Sequence, residues 1–213
     1  MWRALGFSLF LLLAAALPAA AQAAPEPNAV VQGIADDLAK ALEGRKEELR
    51  NDREKLIKLI DDTVLPHFDI DYASILVLGQ NARSATPEQR ARFARAFYNS
   101  ISHRYAEGLL NYTRGRVNVM PFKGELNDKR SLVRTEVILD DGKKVPVDYV
   151  FRKTKEGDWK AYDVIIEGIS YVTNYRNQVN AEIAKSSLDA LTTRLETQGE
   201  KALENLEKNA KSQ

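Results

Sequence analysis

The chain has 213 residues, and its 31 Lys and Arg residues nearly balance its 30 Asp and Glu residues. This balance argues against a nucleic-acid partner and against tight electrostatic attachment to anionic lipid. The sequence contains no cysteine, so the fold depends on a packed core rather than on disulfides, and the chain is long enough to form one.

The N-terminus has the pattern of a secretory signal peptide. Arg3 precedes an apolar run over residues 4–17, which is shorter than the roughly 20 residues that a spanning helix needs. Small residues follow it in a small-x-small cleavage pattern. We therefore expect a signal peptide over residues 1–23, one domain over residues 24–197 and a polar, frayed or disordered tail over residues 198–213.

Helical periodicity dominates the first part of the mature chain. Apolar residues recur every fourth position over residues 30–42, and a second helical segment over residues 49–64 is ended by Pro66. A short third helix follows, for which either Asp69 or Asp71 can cap the first turn.

A sharper helix start stands at the tetrapeptide TPEQ, residues 86–89. It combines an N-cap threonine, a proline at the first helical position and a glutamine three residues after the cap. The tetrapeptide opens a long helix in which Phe97, Ile101 and Tyr105 lie four apart on one face.

After residue 112 the period changes from four to two, which predicts β-strands. Asp-Gly and Glu-Gly turn signals separate the later strands, so the pattern favours an antiparallel meander. The four predicted strands cover residues 114–122, 131–139, 145–153 and 159–167. Gly168 is expected to end the last strand, and helical periodicity returns from Val172. Helices, then a meander, then a closing helix predict an α+β domain whose helices cover the sheet.

Side chains suited to catalysis are sparse. His67 and His103 stand far apart without the spacing of a metal site, so we expect no metal, and no nucleotide-binding or hydrolase motif is present. Asp163 and Glu167 lie among apolar neighbours on the last strand. If either pointed into a closed apolar pocket, its pKa would rise and it could act as the base of an isomerase-like enzyme.

Apolar and tyrosine side chains are instead abundant. A tyrosine is less suited to a core than phenylalanine, because its buried hydroxyl needs a partner, so tyrosines are typical of a cavity wall or mouth. Periodicity alone leaves core and cavity wall both open, and a lipid-free adaptor that binds proteins through the sheet edge is a third possibility. The tyrosines concerned are Tyr105, Tyr149, Tyr162, Tyr171 and Tyr175.

Four long segments resemble one known family, the MlaC proteins, also called the toluene-tolerance auxiliary family. They are LPHFDIDYAS, VLGQNARSATPEQRARF, VPVDYVFRK and WKAYDVIIEGISYVTNYRNQ, at residues 65–74, 77–93, 145–153 and 159–178. The resemblance covers roughly residues 34–195. It implies a twisted four-stranded antiparallel meander, NTF2-like in general shape, packed against several helices with a lipid cavity between them.

The resemblance also implies a function. Members are soluble periplasmic carriers that shuttle glycerophospholipid between an outer-membrane lipoprotein–porin complex and an inner-membrane ABC transporter with its membrane-anchored, substrate-binding ring, and so maintain outer-membrane lipid asymmetry. We expect a non-enzymatic monomer without a cofactor, with phospholipid as its cargo.

On this hypothesis the cavity has three parts. The sheet side is formed by Val147, Tyr149, Val164 and Ile166. The helical side is formed by Phe97, Ile101 and Tyr105, and the mouth by Ile169, Tyr171 and Val172. Should the opposite face of the sheet look inward, Tyr162 and Ile165 would replace the sheet residues.

Overall fold

The computed structural model describes residues 24–110, 116–139 and 141–211, with side chains described through residue 208. The predicted signal peptide lies outside the described residues. The helices are α1 (Pro27–Leu42), α2 (Lys46–Asn51), α3 (Arg53–Thr63), α4 (Ile70–Leu78), α5 (Asn81–Ser84), α6 (Pro87–Leu110), α7 (Tyr171–Lys185), α8 (Leu188–Gln198) and α9 (Glu200–Lys211), with a 3-10 turn at Leu65–His67. None of these described helices is long and apolar enough to cross a membrane.

Side-chain capping explains where several of the helices begin. The carboxylate of Asp69 accepts a hydrogen bond from the backbone N–H of Tyr72 at 3.0 Å, which starts α4. At α6 the N–H of Gln89 donates to the hydroxyl of Thr86 while the Gln89 side chain accepts from the Thr86 N–H, which confirms the predicted capping box. The second predicted segment is split into α2 and α3, because Asp52 caps a new helix there.

The sheet has five antiparallel strands in the order β1-β2-β3-β4-β5. Each strand pairs with its neighbour in sequence, so the predicted meander is confirmed, but the predicted number of four strands is wrong. The strands are β1 (Val117–Val119), β2 (Ser131–Ile138), β3 (Lys144–Lys153), β4 (Trp159–Ile166) and β5 (Ile169–Ser170).

The additional strand arises from the turn between β4 and β5. Glu167 and Gly168 have φ angles of 50° and 82°, and they connect the paired residues Ile166 and Ile169. Two consecutive positive φ angles are what a tight type I′ hairpin turn requires. Gly168, which was expected to end the last strand, therefore reverses the chain and adds a two-residue strand.

Helices cover both faces of this sheet. Val30 and Val31 of α1 pack on one face, over Val133 and Phe151. On the other face Arg152 donates to Asp69 at the start of α4 at 2.7 Å, and its guanidinium lies 4.2 Å from the ring centre of Tyr72. Helix α7 packs on α4, so the helices beyond this face form a second layer.

The C-terminal region differs from the predicted polar tail. Helices α8 and α9 continue the fold, and three residues of α9 enter the largest buried cluster, which also contains Phe93, Tyr175 and Val179. The three α9 residues are Ala202, Leu203 and Leu206. Their spacing of one, three and four positions places them on one face of the helix. This face packs against the core, although most of the segment is polar.

Candidate functional site: an aliphatic sheet face

One face of the sheet carries a continuous set of apolar side chains. The strand register pairs Thr135 with Val147 and Val147 with Ile166, and it pairs Val133 with Tyr149 and Tyr149 with Val164. Because directly paired residues of antiparallel strands point to the same side, these side chains share one face. We call this the aliphatic face; it comprises Val133, Val137, Val145, Val147, Tyr149, Val164 and Ile166.

Burial along the aliphatic face decreases from one end to the other. Val133 is 0% exposed beneath α1, and Val147 in the middle is 8% exposed. Toward the hairpin turns Val145 and Ile166 are only half-buried, and Ile169, paired with Ile166, is 60% exposed. The aliphatic face is therefore closed at one end and open at the other, where aliphatic side chains reach solvent.

The predicted sheet-side residues, Val147, Tyr149, Val164 and Ile166, all lie on the aliphatic face. Of the alternative residues, Ile165 pairs with Asp148 on the opposite face. Tyr162 is the additional residue of a β-bulge, since Val150 pairs with Asp163 while Phe151 pairs with Ala161. The Tyr162 ring packs edge-on against Tyr72 of α4, with ring centres 5.1 Å apart.

Most of the predicted helical-side and mouth residues lie among the helices, whereas the predicted mouth residue Ile169 lies on β5 at the open end of the aliphatic face. Phe97 is 6% exposed, and its ring packs edge-on against Tyr175 at 5.2 Å. Ile101 and Tyr171 pack against the same cluster, to which Val172 belongs. The helix that covers the closed end of the aliphatic face is α1, through Val30, Val31 and Ile34, which are not among the predicted site residues.

A network of hydroxyl groups joins three helices beside Tyr171, one of the predicted mouth residues. The Tyr105 and Tyr175 hydroxyl oxygens are 3.0 Å apart, and both donate to Oε1 of Glu207, at 3.1 Å and 2.8 Å. Arg104 pairs with the same carboxylate at 3.1 Å. The tyrosine hydroxyls thus have partners, as burial requires, but the central acceptor comes from α9, in the segment predicted to be a tail.

This network perturbs both tyrosines. Burial raises the pKa of Tyr105 to about 12, with a further contribution from the charge of Glu207. Burial, followed by the hydrogen bond with Tyr105, also raises the pKa of Tyr175. In both cases the protein stabilises the neutral phenol.

The raised pKa of Tyr105 predicts instability in alkali. A raised folded-state pKa contributes stability that is complete below the unfolded value of about 10 and is lost as the pH rises through the folded value. We expect the free energy of unfolding to fall between pH 10 and pH 12. In the folded protein, part of the tyrosinate absorbance should develop only near pH 12. Tyr105→Phe should reduce the absorbance change near pH 12; full ionisation near pH 10 in the folded protein would contradict the assignment.

The two carboxylates that suggested an enzyme have other partners. Asp163 is buried and accepts from the hydroxyl of Ser170 at 2.6 Å and from the backbone N–H of Val172 at 3.0 Å, so it holds the start of α7. Glu167 lies at the exposed turn and pairs with Lys143. Neither points into a closed apolar pocket. Within the described ranges, no group of three or more His, Asp or Glu side chains could hold a metal ion.

The sheet meander, its helical layers and its half-open aliphatic face define an α+β protein with an apolar, ligand-sized sheet face. The family model described as "MlaC protein" matches residues 32–197, and the chain belongs to this family. The family resemblance read from the sequence is thus confirmed.

Two curated relatives agree with this membership. The intermembrane phospholipid transport system binding protein MlaC of Haemophilus influenzae is 27% identical over 190 residues, covering 88% of each chain. The toluene tolerance protein ttg2D of Pseudomonas putida is 32% identical over 169 residues, which cover 79% of this chain and 78% of the relative. Neither name denotes an enzyme.

A solved structure shares the fold. It is the phospholipid-binding protein of Ralstonia solanacearum in complex with a phospholipid, at a TM-score of 0.75 and 26% sequence identity. The match covers 84% of this chain and 99% of the Ralstonia chain.

Proposed function

We propose that the protein is a soluble periplasmic carrier of glycerophospholipid. It carries lipid between an outer-membrane lipoprotein–porin complex and an inner-membrane ABC transporter with its membrane-anchored ring. This transfer maintains the lipid asymmetry of the outer membrane. The names of the relatives and the phospholipid in the Ralstonia structure support this proposal.

The observation that carries the proposal is the half-open aliphatic face. An acyl chain that enters at Ile169 and Ile166 meets aliphatic side chains as far as Val147, and α1 closes the far end. Val147, Tyr149, Val164 and Ile166 form the sheet side of the cavity, and the head group remains at the exposed turns. Helix α1, with Val30, Val31 and Ile34, bounds the other side of the cavity at its closed end.

The cost of exposing acyl chains to water means that a carrier needs an apolar surface to cover them. Burial stabilises apolar groups by about 0.8 kcal/mol per CH₂, so two acyl chains with about thirty methylenes cost on the order of 20 kcal/mol to expose to water. A cavity that replaces the bilayer environment makes exchange between two membrane partners nearly thermoneutral. No covalent step is needed, and the partners set the direction of transfer.

The carrier proposal predicts that the purified protein contains phospholipid. An organic extract analysed by mass spectrometry and phosphate assay is expected to yield phospholipid near one molecule per chain. The blank is protein that has been unfolded, refolded in the absence of lipid and then extracted in the same way. An extract without phospholipid, from protein expressed in a Gram-negative periplasm, would contradict the proposal and favour a lipid-free adaptor.

A further inference from the structure

A concave site lies away from the sheet, at the C-terminal end of α4. Helices α4 and α7 both leave the sheet near Asp69 and Asp163 and then pack against each other. Beyond this contact they and the α5–α6 connection enclose a cleft of about 410 Å³. We call it the arginine cleft; it is lined by Ile75, Leu76, Gly79, Ala82, Arg83, Arg90 and Arg176.

Two of the three arginines are held in place by backbone carbonyls. Nε of Arg176 donates to the carbonyl of Leu76 at 2.6 Å, and Nη1 of Arg90 donates to the carbonyls of Ala82 and Ala85 at 3.0 Å and 2.6 Å. These bonds use one nitrogen of each guanidinium. The remaining N–H groups are free to form the forked, two-bond contact that guanidinium makes with an oxyanion.

The positive charge of the arginine cleft is not neutralised by an ion pair. No carboxylate among the described residues pairs with Arg83, Arg90 or Arg176. The pKa of Glu88 is lowered first by a hydrogen bond from its own backbone N–H, then by Thr86, and last by the charge of Arg90. The partial negative charge at the end of α4 offsets only part of three unit charges. Like charges held together in this way favour an anionic ligand.

Apolar side chains define the rest of the ligand. Ile75 is 42% exposed, one of few large apolar residues with such exposure among the described residues, and Leu76 and Ala82 lie beside it in the same cleft. No acidic side chain lines the cleft, so a ligand with its own cation would lack a partner. The lining therefore suits a net-negative group attached to an apolar or uncharged body.

We propose that the arginine cleft binds the phosphate group of an anionic amphiphile. This phosphate group belongs either to the head group of an anionic phospholipid or to a soluble phosphate monoester. The arginine cleft shares no residue with the aliphatic face, so the proposal stands or fails independently of the carrier function.

The test is a titration of ¹⁵N-labelled protein followed by NMR. Butyl phosphate is expected to shift the amide signals of Gly79 and Ala82 and the Nε–H signal of Arg176, and to bind more tightly than inorganic phosphate because its apolar part contacts Ile75. Arg83→Gln should weaken the binding of butyl phosphate by at least about fivefold, because the substitution removes one of the three positive charges and its forked N–H donors.

Arg95→Gln is the matched control, because Arg95 is an exposed arginine of α6 outside the arginine cleft. It removes the same charge and should leave the affinity within about twofold. Equal weakening by the two substitutions, or shifts confined to other surfaces, would overturn the proposal. Tighter binding of a triglutamate peptide than of butyl phosphate would also overturn it.

Vesicle flotation separates the two sources. Binding to phosphatidylglycerol vesicles but not to phosphatidylcholine vesicles, lost in Arg83→Gln and kept in Arg95→Gln, supports a phospholipid head group. Butyl phosphate binding without vesicle binding supports a soluble phosphate ester. Equal binding to both kinds of vesicle, unchanged by Arg83→Gln, would contradict recognition of a net-negative phosphate.

Discussion

Ile166→Asp is expected to yield a folded protein whose phospholipid content is at least about tenfold lower than that of the wild type. Ile166 is half-buried at the open end of the aliphatic face, where its side chain lies between Val147 and Ile169. A carboxylate there must lose water when an acyl chain covers it, and desolvation of an unpaired charge costs several kcal/mol. Each 1.4 kcal/mol weakens the affinity for phospholipid about tenfold.

Ile165→Asp is the matched control for this prediction. Ile165 is the same residue type, is also half-buried, and lies one position away, but its side chain is on the opposite face beside Asp148. Extracts of Ile165→Asp should contain phospholipid at the wild-type level, and circular dichroism should show both variants to be folded. Normal phospholipid content in folded Ile166→Asp, or an equal loss in both variants, would refute the assignment of the aliphatic face.

Leu203→Ala is expected to lower the free energy of unfolding by about 3 kcal/mol. Leu203 is 0% exposed, and it lies in the helical cluster with Phe93 and Val179. Truncation of a fully buried leucine removes its transfer free energy and leaves a cavity, which together cost about 2–5 kcal/mol. Urea denaturation monitored by circular dichroism measures the change.

The exposed neighbour Lys201 provides the comparison within α9. Lys201→Ala should change the free energy of unfolding by less than about 0.5 kcal/mol, as is usual for surface substitutions. If residues 198–213 were a frayed tail, both substitutions would have equally small effects. A small loss for Leu203→Ala would therefore show that α9 does not pack on the core.

Local sequence patterns predicted the parts of the fold that depend on short-range physics. The capping residues Asp69 and Thr86 identified helix starts because a side-chain oxygen accepts from a backbone N–H only three residues away. Strand alternation placed Val147, Tyr149 and Ile166 on one face for the same reason, since the period of two follows from the extended backbone.

Packing between segments that are distant in the sequence could not be predicted from local patterns. The pairing of α1 with the aliphatic face joins residues about a hundred positions apart, such as Val31 and Val133, and no local pattern encodes it. Helix α9 was missed because its apolar residues are few and stand among charged ones; they are Ala202, Leu203, Leu206 and Ala210. The strand β5 was missed because Gly168 is typical both of a strand end and of a tight turn.

The short outer strands have a consequence for self-association of the protein. The sheet is bordered by β1, of three residues, and β5, of two residues. Long unpaired strands at a sheet border allow other chains to add by backbone hydrogen bonding, and short ones give such a chain few donors and acceptors. The strands β1 and β5 themselves therefore offer little backbone for sheet growth at borders where the aliphatic side chain of Ile169 reaches solvent.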